Sequence, residues 1–197
     1  NPFLFRPFKP LGFVTDFSRA NRRMHNKSFT ADNAITILGG RNVGDEYFGA
    51  TDGVLFADLD VLAMGPAVAQ VSIAFDAYWA SASSYPIASL VTLPPAEVLA
   101  AIRQRTALVE RSESAATYKQ AVRELPFYSS LVRKDYSLVW APAHLVVDDP
   151  SKGLALAQPE QLLLHHMAEA VGVPARSLDL VSPYFVPTGA GTDYFAG

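Results

Sequence analysis

One stretch of the sequence, residues 25–42, constrains the fold of this chain more than any other. It reads His-Asn-Lys-Ser-Phe-Thr-Ala-Asp-Asn-Ala-Ile-Thr-Ile-Leu-Gly-Gly-Arg-Asn. Residues 31–33 have turn chemistry and residues 34–38 are apolar and β-branched, which predicts a β-hairpin. His25 and Lys27 are two residues apart, so on a strand both side chains project from one face of the sheet.

The expected centre of this hairpin is Asp32. A turn centred there places His25 opposite Gly39 and Lys27 opposite Ile37. The segment that follows the second strand then returns beside the histidine.

The hairpin gathers polar groups that suit a phosphoryl group. Its members are the His25 imidazole, the Lys27 ammonium, the Asn42 amide, and Gly39 and Gly40, whose backbone a ligand can approach closely. Ammonium and amide groups donate hydrogen bonds to phosphoryl oxygens, and a histidine can attack phosphorus or donate a proton. The residues therefore predict a site for chemistry at phosphorus.

In spaced form the stretch reads His25-x-Lys27-x4-Asp32-x6-Gly39-Gly40-x-Asn42. That spacing resembles the signature of the phospholipase D superfamily. Segments 40–48, 56–61, 75–79 and 182–187 are similar to its cardiolipin synthase-like branch. The resemblance covers most of the chain.

The resemblance implies a reaction that needs two copies of the motif, one in each half of a pseudo-twofold fold. One histidine attacks phosphorus to form a phosphohistidine, and the other protonates the leaving alcohol. This sequence has one copy, because none of the other three histidines is followed two residues later by lysine. We therefore expect residues 1–197 to be a single catalytic half and residues 182–197 to begin a second half. The partner half is expected in the same protein.

The resemblance also implies roles for particular residues. The predicted catalytic residues are His25, Lys27, Asp32, Asn42 and Asp58. The predicted substrate or phosphate ligands are Lys27, Gly39, Gly40, Arg41 and Asn42.

A carboxylate is expected to orient His25, because a histidine nucleophile needs an acceptor at its other ring nitrogen. Asp32 lies seven residues further along, roughly 20 Å away in a regular hairpin. We expect Asp58 to orient His25, with Asp60 as the second choice, and Asp32 to satisfy the turn.

Composition excludes several other classes of protein. The net charge of −3 and the lack of a long basic stripe argue against a nucleic-acid partner. The chain has no cysteine, which rules out disulfides and thiolate metal sites.

His165 and Glu169 share a helix face but lack further ligands, so no metal and no cofactor are expected. No run of about 18 apolar residues exists that would span a membrane.

Strands that alternate with helices predict an α/β fold, layered α-β-α around a mixed sheet of the phospholipase D type. Further strands are expected near 58–65, 137–147 and 178–187. An amphipathic helix is expected over 66–79, where Pro66 suits its first turn. Its apolar stripe is expected to be core: Val68, Val71, Phe75, Tyr78 and Trp79.

A helical insertion is expected at about 94–134. It should hold helices near 95–110 and 112–125, with Ser112 or Ser114 as a cap. Residues 125–134 place aromatic side chains beside basic ones. They predict either packing on the sheet or a surface that rests in a membrane interface.

The function that the resemblance implies is transfer of a phosphatidyl group between phospholipids, giving cardiolipin. Such a protein is expected at a membrane surface as a peripheral protein, in bacteria at the inner membrane. Three alternatives stay open: a phospholipase D that hydrolyses the same bond, a nuclease-like homodimer that pairs two motifs, and an inactive half that only binds phosphate or lipid.

Overall fold

The computed structural model describes residues 17, 24–50, 53–90, 92, 94–182 and 189–196. The chain divides into two compact units. The first comprises residues 1–84 and 143–197, and the second comprises residues 85–142. The insertion expected at about 94–134 lies within the second unit.

The first unit is built on a three-stranded sheet in the order β1-β2-β3. The strands are β1 (Ser28–Ala31), β2 (Ile35–Gly39) and β3 (Asp60–Met64). Both pairings are antiparallel. The expected hairpin is therefore present as β1 and β2, and the expected α/β class is confirmed.

The expected mixed sheet is wrong for the described residues, where every strand pairing is antiparallel. A parallel pair needs a crossover from one end of the sheet to the other, usually through a packed helix. Among the described residues between β2 and β3, the one helix is the single turn α1 (Asp45–Phe48). Residues 137–147 and 178–182 carry no strand, and residues 183–187 lie outside the described part. Pro142 lacks the N–H that a ladder requires at its position.

One face of the sheet is covered by α2 (Pro66–Trp79), which contacts all three strands. The most deeply buried side chains are Thr36, Val68 and Val71, which are 0%, 1% and 3% exposed. Side chains alternate along a strand, so Ile37 and its neighbour Phe29 belong to the other face. Phe29 is 71% exposed.

The helix over 66–79 has the predicted bounds and begins at Pro66, as expected. Its predicted core stripe is wrong in part. Phe75 and Trp79 are 55% and 74% exposed, with their rings stacked 6.0 Å apart. The buried members of the stripe are Val68 and Val71, both in the first half of the helix.

The second unit is helical where the structure describes it. Its helices are α3 (Ile87–Leu90), α4 (Ala96–Glu110), α5 (Glu113–Glu124) and α6 (Pro126–Arg133). The two predicted helices are confirmed as α4 and α5, and α6 is an additional one. Ser112 caps α5 by accepting a hydrogen bond from the Ala115 N–H at 3.2 Å.

The first unit ends in short helices. Two 3-10 turns, Pro150–Leu154 and Pro159–Gln161, precede α7 (Leu163–Val171). The last described element is α8 (Gly189–Ala196). No helix in the described ranges is both long enough and apolar enough to span a membrane.

Candidate functional site

His25 and Lys27 lie together just before β1. The Lys27 Nζ is 3.1 Å from each ring nitrogen of His25 and 3.1 Å from the His25 carbonyl oxygen. The histidine is exposed and the lysine is half-buried. A neutral imidazole has one ring nitrogen with a lone pair, and an ammonium group can only donate, so Lys27 can donate to one of the two ring nitrogens at a time. The ammonium of Lys27 therefore lies beside the lone pair of His25.

The hairpin register differs from the predicted one by two residues. Phe29, not Lys27, pairs with Ile37, because Ala31 pairs with Ile35 and leaves three residues in the loop. A shift of two residues leaves every side chain on its predicted face. Continuing the ladder one residue beyond β1 places Lys27 level with Gly39.

Asp32 lies at the tip of this hairpin, at the opposite end from His25. Asp32 and Asn33 both have a φ of 52°, in the left-handed region that Asp and Asn tolerate. The Ala34 N–H donates to the Ala31 carbonyl at 3.0 Å and closes the turn. The local role of Asp32 is therefore to form the turn.

Gly39 and Gly40 lie directly against two carboxylates. Gly39 pairs with Asp60 across the sheet, and a Cβ at Gly39 would overlap the Asp60 carboxylate. A Cβ at Gly40 would be 2.5 Å from Asp58 Oδ2. A side chain at either position would meet a carboxylate of the protein itself, whereas the sequence suggested that these glycines leave space for a ligand.

Arg41 is held by groups of the protein itself. Its Nε donates to Asp60 Oδ2 at 2.6 Å, and one Nη donates to the Tyr47 carbonyl. The other Nη lies 3.5 Å from the Asp58 carbonyl oxygen, and the guanidinium lies over the Phe48 ring. Its predicted phosphate contact stays a prediction. The ion pair with Asp60 joins residues 19 apart in sequence, which no local pattern reveals.

Asn42 is positioned by Tyr47. The Asn42 Nδ2 donates to the Tyr47 hydroxyl at 2.8 Å. The Tyr47 ring packs against Phe56, with ring centroids 5.2 Å apart. Sequence reasoning missed Tyr47, although its place in the one-turn helix after Asn42 was the available signal.

Asp58 lies between the glycines and the start of β3. Its Oδ1 accepts a hydrogen bond from the Leu59 N–H at 2.9 Å, and its carboxylate is the group that faces Gly40. The predicted role of Asp58 in orienting His25 stays a prediction.

Two side chains, Tyr78 and Asp149, have pKa values that are shifted from their ordinary values. Burial raises the pKa of Tyr78, while a hydrogen bond with the Asn26 side chain acts in the opposite direction. Hydrogen bonds from Ser151 lower the pKa of Asp149.

The histidines of α7 pair with a carboxylate of the same helix. His165 Nε2 lies 3.5 Å from Glu169, and His166 Nδ1 lies 3.8 Å from it. Within the part of the chain that the structure describes, no group of three or more acidic or histidine side chains is arranged to hold a metal ion.

Comparison with known proteins gives a clear relationship. The chain is 44% identical over 191 residues to cardiolipin synthase C of Escherichia coli K12, a match that covers 97% of this chain and 40% of that protein. It is 27% identical over 194 residues to an uncharacterized protein of Helicobacter pylori 26695, covering 95% of this chain and 37% of that protein. A segment of 84 residues is 39% identical to cardiolipin synthase A of Pseudomonas entomophila, covering 41% of this chain.

The chain spans about two fifths of the length of cardiolipin synthase C and of the Helicobacter pylori protein. No family model and no solved structure gives a significant match. The match to cardiolipin synthase C extends over nearly the whole of this chain. This chain therefore belongs to the cardiolipin synthase-like branch of the phospholipase D superfamily.

Proposed function

We propose that, in the full-length protein, this chain supplies one of two catalytic histidines for phosphatidyl transfer between phospholipids. A ring nitrogen of His25 attacks phosphorus, the bond from phosphorus to the leaving alcohol breaks, and a phosphohistidine forms. A histidine of the second half gives its proton to the leaving alcohol. The hydroxyl of a second phospholipid then gives its proton to the histidine of the second half and attacks phosphorus, and the bond from phosphorus to His25 breaks.

The observation that carries this proposal is the contact between Lys27 and His25. The ammonium lies 3.1 Å from both ring nitrogens, beside the place where a bound phosphoryl group would sit. Negative charge develops on the non-bridging oxygens during displacement, and a fixed positive charge stabilises them there. When a phosphoryl group binds, Lys27 turns from the imidazole to the non-bridging oxygens, which frees the lone pair of His25 for attack.

The remaining motif residues complete the proposed phosphate site. Asn42, held by Tyr47, binds a second non-bridging oxygen through its amide. Gly39 and Gly40 form the wall of the site, and Arg41 binds a phosphoryl oxygen through a guanidinium N–H that now faces the protein's own groups. Asp58 orients the ring of His25, and Asp32 serves the site by closing the turn.

The proposed partner is the second motif-bearing half of the same protein. Two copies of this chain that bring two His25 side chains together are the alternative arrangement. The names of the two cardiolipin synthases support a phospholipid substrate for this chain as well.

The proposed contact with the membrane is the segment 126–140. Its exposed side chains combine large apolar groups with cations: Phe127, Leu131, Val132, Arg133, Lys134, Val139 and Trp140. The second unit also carries seven Lys and Arg residues against five Asp and Glu, whereas the whole chain has a net charge of −3. Aromatic and basic side chains together favour an anionic lipid interface.

Product analysis with the full-length protein tests the proposed reaction. Vesicles that contain labelled phosphatidylglycerol should yield cardiolipin and glycerol, and His25→Ala should abolish both while His144→Ala retains them. Phosphatidic acid as the main product would favour hydrolysis instead. Turnover at the wild-type rate in His25→Ala would exclude the proposed role of His25.

A second assay uses the chain of 197 residues and a chromogenic phosphodiester substrate. It tests whether two copies of the motif must pair for activity. We expect no turnover, or a rate that rises faster than linearly with protein concentration. A rate that depends on His25 and is strictly linear in concentration would show that a single motif suffices.

A further inference from the structure

Tyr47 belongs to α1, the helical turn that follows Asn42, and it contacts two side chains of the proposed phosphate site. Its hydroxyl oxygen accepts a hydrogen bond from Asn42 Nδ2 at 2.8 Å. Its main-chain carbonyl oxygen accepts a hydrogen bond from an Nη of Arg41. The tyrosine hydroxyl therefore lies where the proposed function places a phosphoryl group.

The position of this hydroxyl is fixed by the packing of the ring. The Tyr47 ring is half-buried and lies against Phe56, with ring centroids 5.2 Å apart. The Tyr47 N–H donates to the Gly44 carbonyl at 3.0 Å, and the Phe56 N–H donates to the Glu46 carbonyl at 3.0 Å. These main-chain bonds join α1 to Phe56, so the phenol oxygen is held in one place beside the Asn42 amide.

The proton of the tyrosine hydroxyl has no acceptor within the part of the chain that the structure describes. A phenol has one proton to donate, and here its oxygen acts as the acceptor for Asn42. The nearest carboxylate in the sequence, that of Glu46, lies against Gly44 instead. The carboxylate of Asp58 lies against Gly40. The phenol O–H is thus a donor that the protein itself leaves unused.

The amide of Asn42 and the hydroxyl of Tyr47 together offer two donors to one anion. The Asn42 Nδ2 carries two N–H groups, of which the phenol oxygen accepts one. The second N–H and the phenol O–H start from atoms 2.8 Å apart. A hydroxyl that accepts a hydrogen bond becomes a stronger donor, because linked hydrogen bonds polarise one another. Ionised oxygens are the acceptors to which such donors bind most strongly.

We propose that the Tyr47 hydroxyl is a further ligand of the phosphoryl group, which donates its proton to a phosphoryl oxygen beside the Asn42 amide. This inference rests on the proposed function, which places a phosphoryl group at Asn42. The tyrosine keeps its proton throughout the reaction. Its hydrogen bond strengthens as negative charge develops on the non-bridging oxygens during displacement.

Titration of the full-length protein with inorganic phosphate, followed by phosphorus NMR, tests the proposal without any need for turnover. Tyr47→Phe keeps the ring that lies against Phe56 and removes only the hydroxyl. Loss of a hydrogen bond to an anion should weaken phosphate binding about threefold to tenfold. Tyr85→Phe changes an exposed tyrosine of the second unit and is the matched control, which should bind phosphate as the wild type does.

The same titration in an Asn42→Ala background separates a phosphate ligand from a residue that only positions Asn42. If the phenol itself donates to phosphate, adding Tyr47→Phe should weaken binding by a further factor of about three or more. A residue that acts only through Asn42 would change nothing in this background, and that result would overturn the proposal.

Equal phosphate affinity of the wild type and Tyr47→Phe would overturn the proposal as well. Failure of the proposed function is a separate result. It would appear as phosphatidyl transfer that persists in His25→Ala, whereas the phosphate affinities of the tyrosine variants would still decide the role of Tyr47.

Discussion

Gly39 and Gly40 are motif residues whose surroundings are visible only in the folded structure. The sequence suggests that these glycines leave space for a ligand. The structure places the carboxylates of Asp60 and Asp58 in that space. The close approach also brings Asp60 to Arg41, whose Nε donates to it.

Gly39→Ala should therefore destabilise the chain. The new Cβ would overlap the Asp60 carboxylate and come within 3.0 Å of Asp60 Cα, which is backbone and cannot rotate away. Overpacking of this kind costs about 1–3 kcal/mol in the free energy of unfolding. Urea denaturation measures the change. Gly153→Ala is the control. A Cβ at Gly153 would meet no neighbouring atom within 4 Å, so this variant should lose far less unfolding free energy.

A second prediction at the residue scale concerns Asp149. The Ser151 N–H donates to Asp149 Oδ1 at 2.8 Å and the Ser151 hydroxyl donates at 2.5 Å, and both bonds lower the pKa of the carboxyl. A lowered pKa stabilises the fold above the ordinary carboxyl pKa, and this stabilisation is lost as the pH falls through the lowered value.

Ser151→Ala should thus raise the pKa of Asp149 in an NMR titration. Its destabilising effect should be present at pH 7 and fade below about pH 4. A destabilisation that persists unchanged at lower pH would show that the serine acts through packing alone.

At the scale of elements, local signals predicted the helices better than the sheet. Pro66 marked the start of α2, and the serine cap marked the start of α5. The hairpin was predicted because its turn residues, Asp32 and Asn33, act locally. The pairing of β2 with β3 depends on how segment 40–59 returns, and nothing in its spacing encodes the direction.

In the site, too, contacts between sequence neighbours were predicted and contacts between distant residues were not. His25 and Lys27 were predicted together because they are neighbours on a short segment. The contacts of Arg41 with Asp60 and of Tyr78 with Asp148 span 19 and 70 residues, so no pattern in the sequence reveals them.

Ser112→Ala tests the cap of α5. The serine hydroxyl accepts from the Ala115 N–H, one of the four N–H groups that a helix start leaves without a partner inside the helix. Its loss should cost about 1 kcal/mol of unfolding free energy, measured by urea denaturation. Ser114→Ala, inside the same first turn, should cost less, because the Ser114 hydroxyl contacts the Ser112 hydroxyl at 3.1 Å and is not the acceptor for the Ala115 N–H. Equal losses in both variants would contradict the assignment of Ser112 as the cap.

At the scale of the whole molecule, the two tryptophans report on two different surfaces. Trp140 belongs to the proposed membrane segment and Trp79 to the exposed end of α2; they are 78% and 74% exposed. Because the chain has two tryptophans, each single Trp→Phe variant leaves one reporter.

Vesicles of phosphatidylethanolamine and phosphatidylglycerol should shift the emission of the Trp79→Phe protein to the blue, since Trp140 then enters the lipid interface. The Trp140→Phe protein should show no such shift. High salt should reduce the effect, because it screens the attraction between Arg133, Lys134 and anionic lipid. Equal shifts in both variants would contradict the assignment of segment 126–140.

The most direct test of the central claim is detection of the covalent intermediate. The full-length protein is mixed with a phosphodiester substrate, quenched in alkali, where phosphohistidine survives, and digested for mass spectrometry. The modified peptide should be the one that contains His25, and the modification should disappear in His25→Ala but persist in His144→Ala. A modification on another residue, or turnover that persists in His25→Ala, would contradict the account.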